Sequence, residues 1–447
     1  MTDSRMRGAL APAGAQPDAL RELIAGQWID PDSALPIAVP VRAIAIERSL
    51  AGTEADLVTA LPVGHRFTVV SDATTQRVLG ARVTRALASL GSIDSIVLDD
   101  SPHPDIATVE RIRGATLSSD TLVAVGSGTI NDLCKYAAAI DEKPYVAFAT
   151  APSMNGYTSM NAAITVDGHK KTLPARAPLA VFIDLGVFAA APVRMIRAGL
   201  GDSLCRSTAQ ADWSLSRHVR GTSFREAPFA LLAADEPALL EAAEPLVNGD
   251  LDAMRVLART LLLSGLGMTI CGGSYPASQG EHLISHYIDM FAPQERAPYL
   301  HGEQVAVATL TMARIQEAML QGAPPRLYAG STTRETLLQG FGDAIGDACW
   351  SEYAAKRHSA DTADALSARI AEKWDELRAD LSRTMIPAAA LAGVMARAGC
   401  PRTAEAIGVT AEFYRRAVRD ARFLRDRYTF LDLAADAGRL DALSRRG

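Results

Sequence analysis

Residues 122–132 read LVAVGSGTIND, an apolar run that passes through a Gly-Ser-Gly turn into a helix-forming segment. The apolar run predicts a buried strand, and the residues after the turn predict a helix at 129–139. Glycine lets a backbone approach a phosphate closely, and the first turn of a helix offers free N–H groups and a partial positive charge. The turn matches neither GxGxxG nor a P-loop, so a tight strand-to-helix connection is the alternative. The candidate phosphate-binding residues are Gly126, Ser127, Gly128 and Thr129.

Strands and helices alternate on both sides of this turn. The sequence predicts helices at about 75–90 and 106–112, and further strands at 67–71, 95–98, 145–149 and 180–184. Because parallel strands need crossover connections, this alternation predicts a parallel sheet covered by helices. Helical periodicity without a convincing strand dominates after about residue 190. The expected fold class is therefore an α/β N-terminal domain followed by an all-α C-terminal domain.

A second polar turn follows the strand predicted at 145–149 and reads TAPSMNGY over residues 150–157. Small hydroxyl-bearing residues at the carboxyl end of a strand suit a pyrophosphate or a ribose. Asp72, which ends the first β-like segment, is either a partner for an adenosine ribose hydroxyl or the N-cap of the next helix. The further candidates for nucleotide binding in the second turn are Thr150, Ala151 and Ser153.

The composition narrows the classes of partner. The formal net charge is −6 at pH 7, so no global basic field attracts nucleic acid or an anionic membrane. The Arg-rich stretch 415–427 is interleaved with Asp420 and Asp426, and we interpret it as a solvated or interface helix face rather than an anion site. The most apolar stretch, 260–273, is too short to span a bilayer and predicts a buried helix.

The cysteines and the N-terminus predict a cytoplasmic protein. The five cysteines are far apart and form no CxxC pair, so reduced core thiols are expected rather than a disulfide framework. The N-terminal residues contain no apolar secretory segment.

Three polar residues in glycine-rich surroundings suggest a metal centre. Asp202 lies in GLGDS, which predicts the start of a helix; His282 lies in the helical segment GEHLISH; and His301 lies in LHGEQ at the start of a third helix. One carboxylate and two imidazoles can hold a divalent metal and leave positions open for a substrate. His286 shares a helix face with His282 and is a fourth candidate. Packing roles are the alternative for each histidine, and the absence of HExxH argues against a peptidase.

The chain resembles bacterial and archaeal glycerol-1-phosphate dehydrogenases in the motifs VGSGTINDL, TAPSMNGYTS, GHKKTLPARAP, AGLGDSLCRSTAQADWSLS, SYPASQGEHLISH, LHGEQVAV and RFLRDRYTFLDL. These enzymes form part of a larger group with iron-type alcohol dehydrogenases, glycerol dehydrogenases and dehydroquinate synthases. The resemblance extends from about residue 45 to residue 440.

The resemblance implies a dehydroquinate synthase-like fold, with a Rossmann-like N-terminal domain and a helical C-terminal domain. The expected division is a loosely ordered lead-in at 1–40, a dinucleotide-binding domain at 41–188 and a helical metal-binding catalytic domain at 189–447. It also implies one zinc, iron or nickel ion, held in the cleft between the domains by Asp202, His282 and His301.

The resemblance further implies that NAD(P)H lies on the turns at 126–129 and 150–153. Asp132 stands where the family has an Asn-Asp pair after the first turn, and Ser159 stands where a hydroxyl borders the nicotinamide. His286 would relay a proton rather than bind the metal. Asp99 and Asp100 follow the second strand, where a carboxylate repels a 2′-phosphate and mildly favours NAD over NADP.

The implied activity is reduction of a hydroxyketone, with dihydroxyacetone phosphate or a close analogue as the expected substrate and sn-glycerol 1-phosphate as the product. The metal would act as a Lewis acid while the nicotinamide delivers hydride. The alternatives are an NAD-using sugar-phosphate cyclase, a dehydrogenase with a non-phosphate or phosphonate substrate, and a non-catalytic NAD-binding protein. A VDSSIGGKTG-like segment typical of the cyclases is absent. The expected partners are a small-molecule substrate and further copies of the chain, without nucleic acid or membrane.

Two residues depart from the family pattern near the expected substrate. Asn155 replaces an Asp that is expected to bind substrate hydroxyls, and Tyr275 replaces an Arg that suits a phosphate. Lys170, Lys171 and Arg176 are the remaining candidate phosphate partners, with solvated hairpin charges as the alternative. The reaction class is therefore better determined than the substrate.

Overall fold

A computed structural model describes residues 18–166, 169–293 and 299–446. Its strands are β1 (Ala43–Glu47), β2 (Arg66–Asp72), β3 (Ser92–Leu98), β4 (Thr121–Gly126), β5 (Tyr145–Ala149), β6 (Asn161–Val166), β7 (His169–Pro174) and β8 (Ala180–Asp184). Six of them form one parallel sheet in the order β1-β8-β5-β4-β2-β3, and β6 and β7 form an antiparallel hairpin. The predicted parallel sheet and its five predicted strands are confirmed.

The helices of the N-terminal half are α1 (Ala19–Ile24), α2 (Glu54–Thr59), α3 (Ala73–Thr75), α4 (Ala81–Leu87), α5 (Ile106–Ala115), α6 (Gly128–Ile140) and α7 (Leu185–Ala189). A π-helical turn, Gln76–Gly80, joins α3 to α4, so the helix predicted at 75–90 is present in three pieces. The sequence patterns miss β1, which is short and only partly buried.

The C-terminal half is helical, and its described part contains no strand. Its helices are α8 (Val193–Leu204), α9 (Arg206–Arg220), α10 (Ala227–Leu232), α11 (Glu236–Glu241), α12 (Ala243–Val247), α13 (Leu251–Ile270), α14 (Gly280–Phe291), α15 (His301–Leu320), α16 (Arg334–Phe341), α17 (Asp343–Ala354), α18 (Ala360–Glu372), α19 (Trp374–Thr384), α20 (Ala388–Ala398), α21 (Ala411–Asp420), α22 (Phe430–Asp436) and α23 (Leu440–Leu443). Three 3-10 turns, Glu405–Ile407, Ala421–Phe423 and Ser444–Arg446, complete it.

Alternate side chains of the central strands pack on opposite faces of the sheet. Every residue of β4 and β5 is buried. Leu122 and Ala124 of β4 belong to one hydrophobic cluster, whereas Val123 and Val125 belong to another. Because successive side chains of a strand point to opposite faces, helices must cover both sides of the sheet.

One hydrophobic cluster continues from the sheet into the helical half through α13, where Leu257 and Leu261 are buried with Ile183 of β8. This helix has the length of a membrane span and a mean hydropathy of 1.3, but 67% of that window is buried inside the protein. The buried helix predicted at 260–273 is therefore present as part of α13.

The described part of the lead-in segment is packed, so the expectation of loose order is wrong from residue 18 onward. Leu20 and Leu23 of α1 are buried in the same cluster, together with Trp28. Asp18 accepts a hydrogen bond from Arg259 of α13 at 3.0 Å. Burial of these three apolar side chains, together with the Asp18–Arg259 contact, anchors the segment.

The GLGDS segment lies in the last turns of α8, not at the start of a helix as predicted. α8 begins earlier, at Val193, with Pro192 as its N-cap residue. The glycines allow close backbone contacts instead: a Cβ atom at Gly199 would overlap the carbonyl oxygen of Pro152. A Cβ atom at Gly302 of α15 would likewise overlap the carbonyl oxygen of Ala198 on α8.

We expect Gly302→Ala to destabilise the protein, because the backbone of α8 cannot move away from the added methyl group without disturbing the site. The expected loss is about 1–3 kcal/mol, measured as lower midpoints of thermal and denaturant unfolding. Gly393→Ala is the matched control: it lies within α20, and a Cβ there would come no closer than 3.8 Å to the Arg397 side chain. That variant should gain up to about 1 kcal/mol. Equal stability of Gly302→Ala and the wild type would disprove the close contact.

Candidate active site

A cleft of about 260 Å³ lies between the sheet and the helical half. Residues that follow β4 and β5 line one side, and α8, α14 and α15 contribute to the other. The predicted site residues that line it are Gly128, Thr129, Asp132, Asn155, Ser159, Asp202, His282, His286 and His301.

Asp202, His282 and His301 converge on one wall of the cleft. Oδ1 of Asp202 lies 3.6 Å from Nε2 of His282 and 4.0 Å from Nε2 of His301. One potential ligand atom from each residue lies within 4.8 Å of the others. Oδ1 of Asp202 is buried and has no hydrogen-bond partner in the described part of the chain. An orphaned carboxylate oxygen that faces two ring nitrogens fits the coordination of a divalent cation.

Glu281 is a buried residue of the site that the sequence patterns did not identify. Its Oε1 accepts hydrogen bonds from Nδ1 of His282 at 3.0 Å and from the backbone N–H of Gln279 at 2.7 Å. Burial lowers the pKa of His282, but Asp202 and Glu281 outweigh it and raise that pKa to about 9. The two carboxylates thus make this position strongly favourable for positive charge. An acidic residue directly before a predicted ligand is the signal that could have revealed Glu281.

His301 begins α15 and contacts a short chain of polar groups. Its Nδ1 lies 3.4 Å from the hydroxyl of Ser285, which donates a hydrogen bond to Gln304 at 3.0 Å. His286 lies outside the three-residue cluster: its ring centroid is 6.0 Å from that of His301 and 6.1 Å from that of His282. His286 therefore borders the same space without joining the converging ligand atoms.

The loop that follows β5 connects the sheet to this cluster. The backbone N–H of Asn155 donates to Oδ2 of Asp202 at 2.8 Å. Thr158 fastens the loop to α13, because its hydroxyl donates to the carbonyl oxygen of Leu262 at 2.7 Å. Nδ2 of Asn155 is buried and unpartnered among the described residues, and the residue lines the cleft. Its carboxamide is therefore placed to donate to a bound ligand.

The Gly-Ser-Gly turn joins β4 to α6 without a side-chain cap. α6 begins at Gly128, and the N-cap residue Ser127 makes no side-chain hydrogen bond to the helix. β3 lies at the edge of the sheet on one side of β2, and β4 lies on the other side of β2. The turn therefore stands at a reversal of strand order, where open parallel sheets commonly bind ligands.

Lys135 is a second buried residue that the sequence patterns did not identify. Its ammonium donates to the carbonyl oxygens of Gly156 and Asn161 at 2.6 and 3.0 Å and to the hydroxyl of Ser159 at 3.1 Å. Oδ1 of Asp132 lies 3.5 Å away. Burial lowers the pKa of Lys135, and Asp132 opposes that shift. The ammonium thus holds α6, the loop after β5 and the start of β6 together beneath the cleft.

Several residues predicted to bind the cofactor do not line the cleft. Asp72 caps α3, since its Oδ1 accepts a hydrogen bond from the backbone N–H of Thr75 at 2.7 Å. The N-cap role, one of the two alternatives predicted for Asp72, is thus present. Contact of Asp72 with the adenosine ribose stays a prediction. The other residues outside the cleft lining are Gly126, Ser127, Thr150, Ala151 and Ser153.

Tyr275, which replaces an expected arginine, and the candidate phosphate partners Lys171 and Arg176 do not line the cleft either. Tyr275 stacks on Trp213, with ring centroids 5.8 Å apart, and lines a neighbouring cavity. Arg176 donates to the carbonyl oxygen of Glu142 at 3.2 Å. Lys171 is exposed, and the side chain of Lys170 lies outside the described part of the structure.

Comparisons with known proteins give consistent matches. Residues 45–192 match the family model described as iron-containing alcohol dehydrogenase. The glycerol-1-phosphate dehydrogenase (NAD(P)+) of Bacillus subtilis is 34% identical over 289 residues, which cover 62% of this chain and 73% of that protein. The enzyme of the same name from Pyrococcus furiosus is 33% identical over 282 residues, 61% of this chain and 80% of that protein. The Bacillus licheniformis enzyme is 29% identical over 85% of both chains.

Solved structures share the fold at lower identity. A probable glycerol dehydrogenase from Sinorhizobium meliloti superposes with a TM-score of 0.59 at 21% identity, covering 91% of this chain and 98% of that one. A glycerol dehydrogenase from Schizosaccharomyces pombe gives a TM-score of 0.60 at 18% identity, covering 91% and 90%. These similarities agree with a sheet-containing N-terminal half and a helical C-terminal half.

We expect Lys135→Met to lower the unfolding midpoint, because it leaves the Asp132 carboxylate without its cation and the carbonyl oxygens of Gly156 and Asn161 without this donor. Breaking a buried pair typically costs about 3–5 kcal/mol. The double variant Asp132→Asn/Lys135→Met should recover part of that loss, since it removes the uncompensated charge. Thermal unfolding of both variants beside the wild type measures the coupling. A strictly additive double variant would exclude the proposed pairing of Asp132 with Lys135.

Proposed function

Because the chain belongs to the glycerol-1-phosphate dehydrogenase family, within the iron-containing alcohol dehydrogenases, we propose that it uses NAD(P)H and a divalent metal to reduce dihydroxyacetone phosphate, or a close analogue, to sn-glycerol 1-phosphate. The observation that carries the proposal is the unpartnered Oδ1 of Asp202, which faces the Nε2 atoms of His282 and His301. The names of the relatives support NAD(P)+ as the cofactor.

Asp202, His282 and His301 would hold the metal, and this donor set accepts zinc, iron or nickel. When bound, the metal supplies Lewis-acid polarisation of the ketone, and NAD(P)H supplies the hydride. Glu281 keeps the Nε2 atom of His282 directed toward Asp202, since its carboxylate accepts the hydrogen bond from Nδ1. Ser285 stands at Nδ1 of His301 in a comparable position.

The remaining cleft residues would bind the substrate and supply its proton. The carboxamide of Asn155 donates a hydrogen bond to a substrate oxygen. An ionised aspartate at this position could only accept a hydrogen bond from the substrate. A ring nitrogen of His286 carries the proton that the product hydroxyl requires, since this residue lines the cleft outside the ligand set.

The cofactor would lie across the carboxyl ends of the parallel strands, on the turns at 126–129 and 150–153. The first helical turn of α6 favours the negative charge of the pyrophosphate. Asp72 would contact the adenosine ribose, and Asp132 and Ser159 would lie nearest the nicotinamide, because both border the cleft.

The wider organisation follows from the same proposal. The cofactor domain would comprise residues 41–188, with 1–40 as its lead-in, and the catalytic domain would comprise 189–447. The enzyme would act in the cytoplasm as a homo-oligomer, because the large apolar helical half suits association between copies.

The deciding experiment measures loss of NADH or NADPH by the metal-loaded protein with dihydroxyacetone phosphate and, separately, with unphosphorylated dihydroxyacetone. We expect stoichiometric cofactor oxidation with the phosphorylated ketone, abolished by a chelator and restored by added metal. Asp202→Asn should bind metal at least about 10-fold more weakly and lose activity accordingly. Product formation without net cofactor oxidation would instead indicate cyclase chemistry. No reaction with the metal-loaded protein would reject the proposed substrate.

Glu281→Gln should lower the affinity for the metal about 10-fold to 100-fold, because the neutral amide no longer adds negative charge behind His282. The measurement is competition with a chromophoric chelator for one added divalent metal. Glu317→Gln is the control: Glu317 lies on α15 and accepts the backbone N–H of Ala388 at 2.7 Å, away from the cluster. An unchanged metal affinity in Glu281→Gln would limit Glu281 to a structural role.

A further inference from the structure

A second cavity of about 190 Å³ adjoins the metal cleft. It is lined by the guanidinium-bearing residues Arg425 and Arg427 and by Tyr275. The residues that line both spaces are Asn161, Thr172, Ser274, Ser278 and His286. A ligand of modest length can therefore reach the metal cluster and the arginines at the same time.

The two arginines bring positive charge to this cavity, and the carboxylates that act on Arg427, those of Asp426 and Glu281, make no ion pair with it in the described part of the chain. In the described part of the chain neither guanidinium makes an ion pair, and Arg425 makes no side-chain hydrogen bond. Glu352, which lines another cavity together with Arg425, accepts the backbone N–H of Asp426 at 2.7 Å. Both arginines are only partly exposed, and a partly desolvated cation without an ion-pair partner is stabilised by a bound anion.

Arg427 is held in a fixed orientation. It donates to the carbonyl oxygen of Ser278 and, at 2.9 Å, to the hydroxyl of Ser274. Burial, together with the charge of Arg425, lowers the pKa of Arg427 to about 10, so the guanidinium remains charged at neutral pH. An arginine has five N–H donors, and the two hydrogen bonds to protein leave others for a ligand.

Tyr275 acts on the cavity through Arg427. The guanidinium lies 4.6 Å from the centroid of the Tyr275 ring, and the same ring stacks on Trp213. A cation above an aromatic face is stabilised by the ring. Tyr275 is therefore a positioning residue. It stands where the family has an arginine, and Arg427 supplies the positive charge beside it instead.

We propose that Arg425 and Arg427, with the hydroxyl of Ser274, form the binding site for the phosphate monoester group of the substrate. The identity of that substrate rests on the proposed function, whereas the anion site itself does not. In a three-carbon phosphorylated ketone the central carbonyl can face the metal cluster while the phosphate on a terminal carbon reaches the arginines, which matches two spaces that share a wall. For the end of the stretch 415–427 this proposal replaces the interpretation as a solvated or interface helix face.

The test compares Arg425→Gln with the wild type in two measurements on the full-length protein. The first is calorimetric titration with inorganic phosphate, without nicotinamide, and we expect the dissociation constant to rise about 10-fold to 100-fold. The second is the ratio of kcat/KM for dihydroxyacetone phosphate to kcat/KM for dihydroxyacetone, which should fall by a similar factor. Arg415→Gln, an exposed residue of α21 in the same Arg-rich stretch, is the matched control and should keep both values.

The two measurements separate failure of this proposal from failure of the proposed function. If the wild type reduces neither ketone but Arg425→Gln loses phosphate affinity, the anion site stands and the substrate assignment falls. Absence of phosphate binding by the wild type, or equal phosphate affinity in Arg425→Gln, overturns the anion site whatever the enzymatic result.

Discussion

The buried carboxylate of Asp202 is the group on which the arrangement of this protein depends. Burial alone would raise its pKa, but the adjacent His282 and His301 and the backbone N–H of Asn155 lower it. One oxygen is fixed by the loop from the sheet, and the other faces the two imidazoles. The two histidines belong to the helical half and Asn155 to the loop after β5, so groups from both halves stabilise the buried charge.

The backbone contacts around α8 provide the necessary precision. α8 approaches α15 at Gly302 and the loop after β5 at Gly199, with no side chain between the backbones. Sites built on closely packed helices vary less in geometry than sites on free loops. The close contacts therefore place the ligands of three separate helices within reach of one ion.

A buried carboxyl group on α9 ties the C-terminal segment to the same site. Asp212 accepts the backbone N–H groups of Gly280, at the start of α14, and Phe430, at the start of α22. Burial and the nearby Glu281 raise the pKa of Asp212 to about 8. Arg425 and Arg427, which line the second cavity, lie just before α22. Asp212 therefore holds this cavity beside the cluster of Asp202, His282 and His301. The net charge of −6 is a sum over the whole chain, so it does not show that acidic and basic groups are separated within this site.

Patterns within short segments of the sequence determine many of the strands and the candidate metal ligands of this protein. The strands β2, β4, β5 and β8, the glycine turn before α6 and the candidates Asp202, His282 and His301 all follow from local periodicity and motif, which are properties of short segments. The position of GLGDS within α8, the burial of Lys135 and the contact of Arg427 with Tyr275, 152 positions away in sequence numbering (427 − 275), depend on which distant elements meet. Such contacts arise only when the chain packs, because hydrophobic burial joins elements without regard to their separation in sequence.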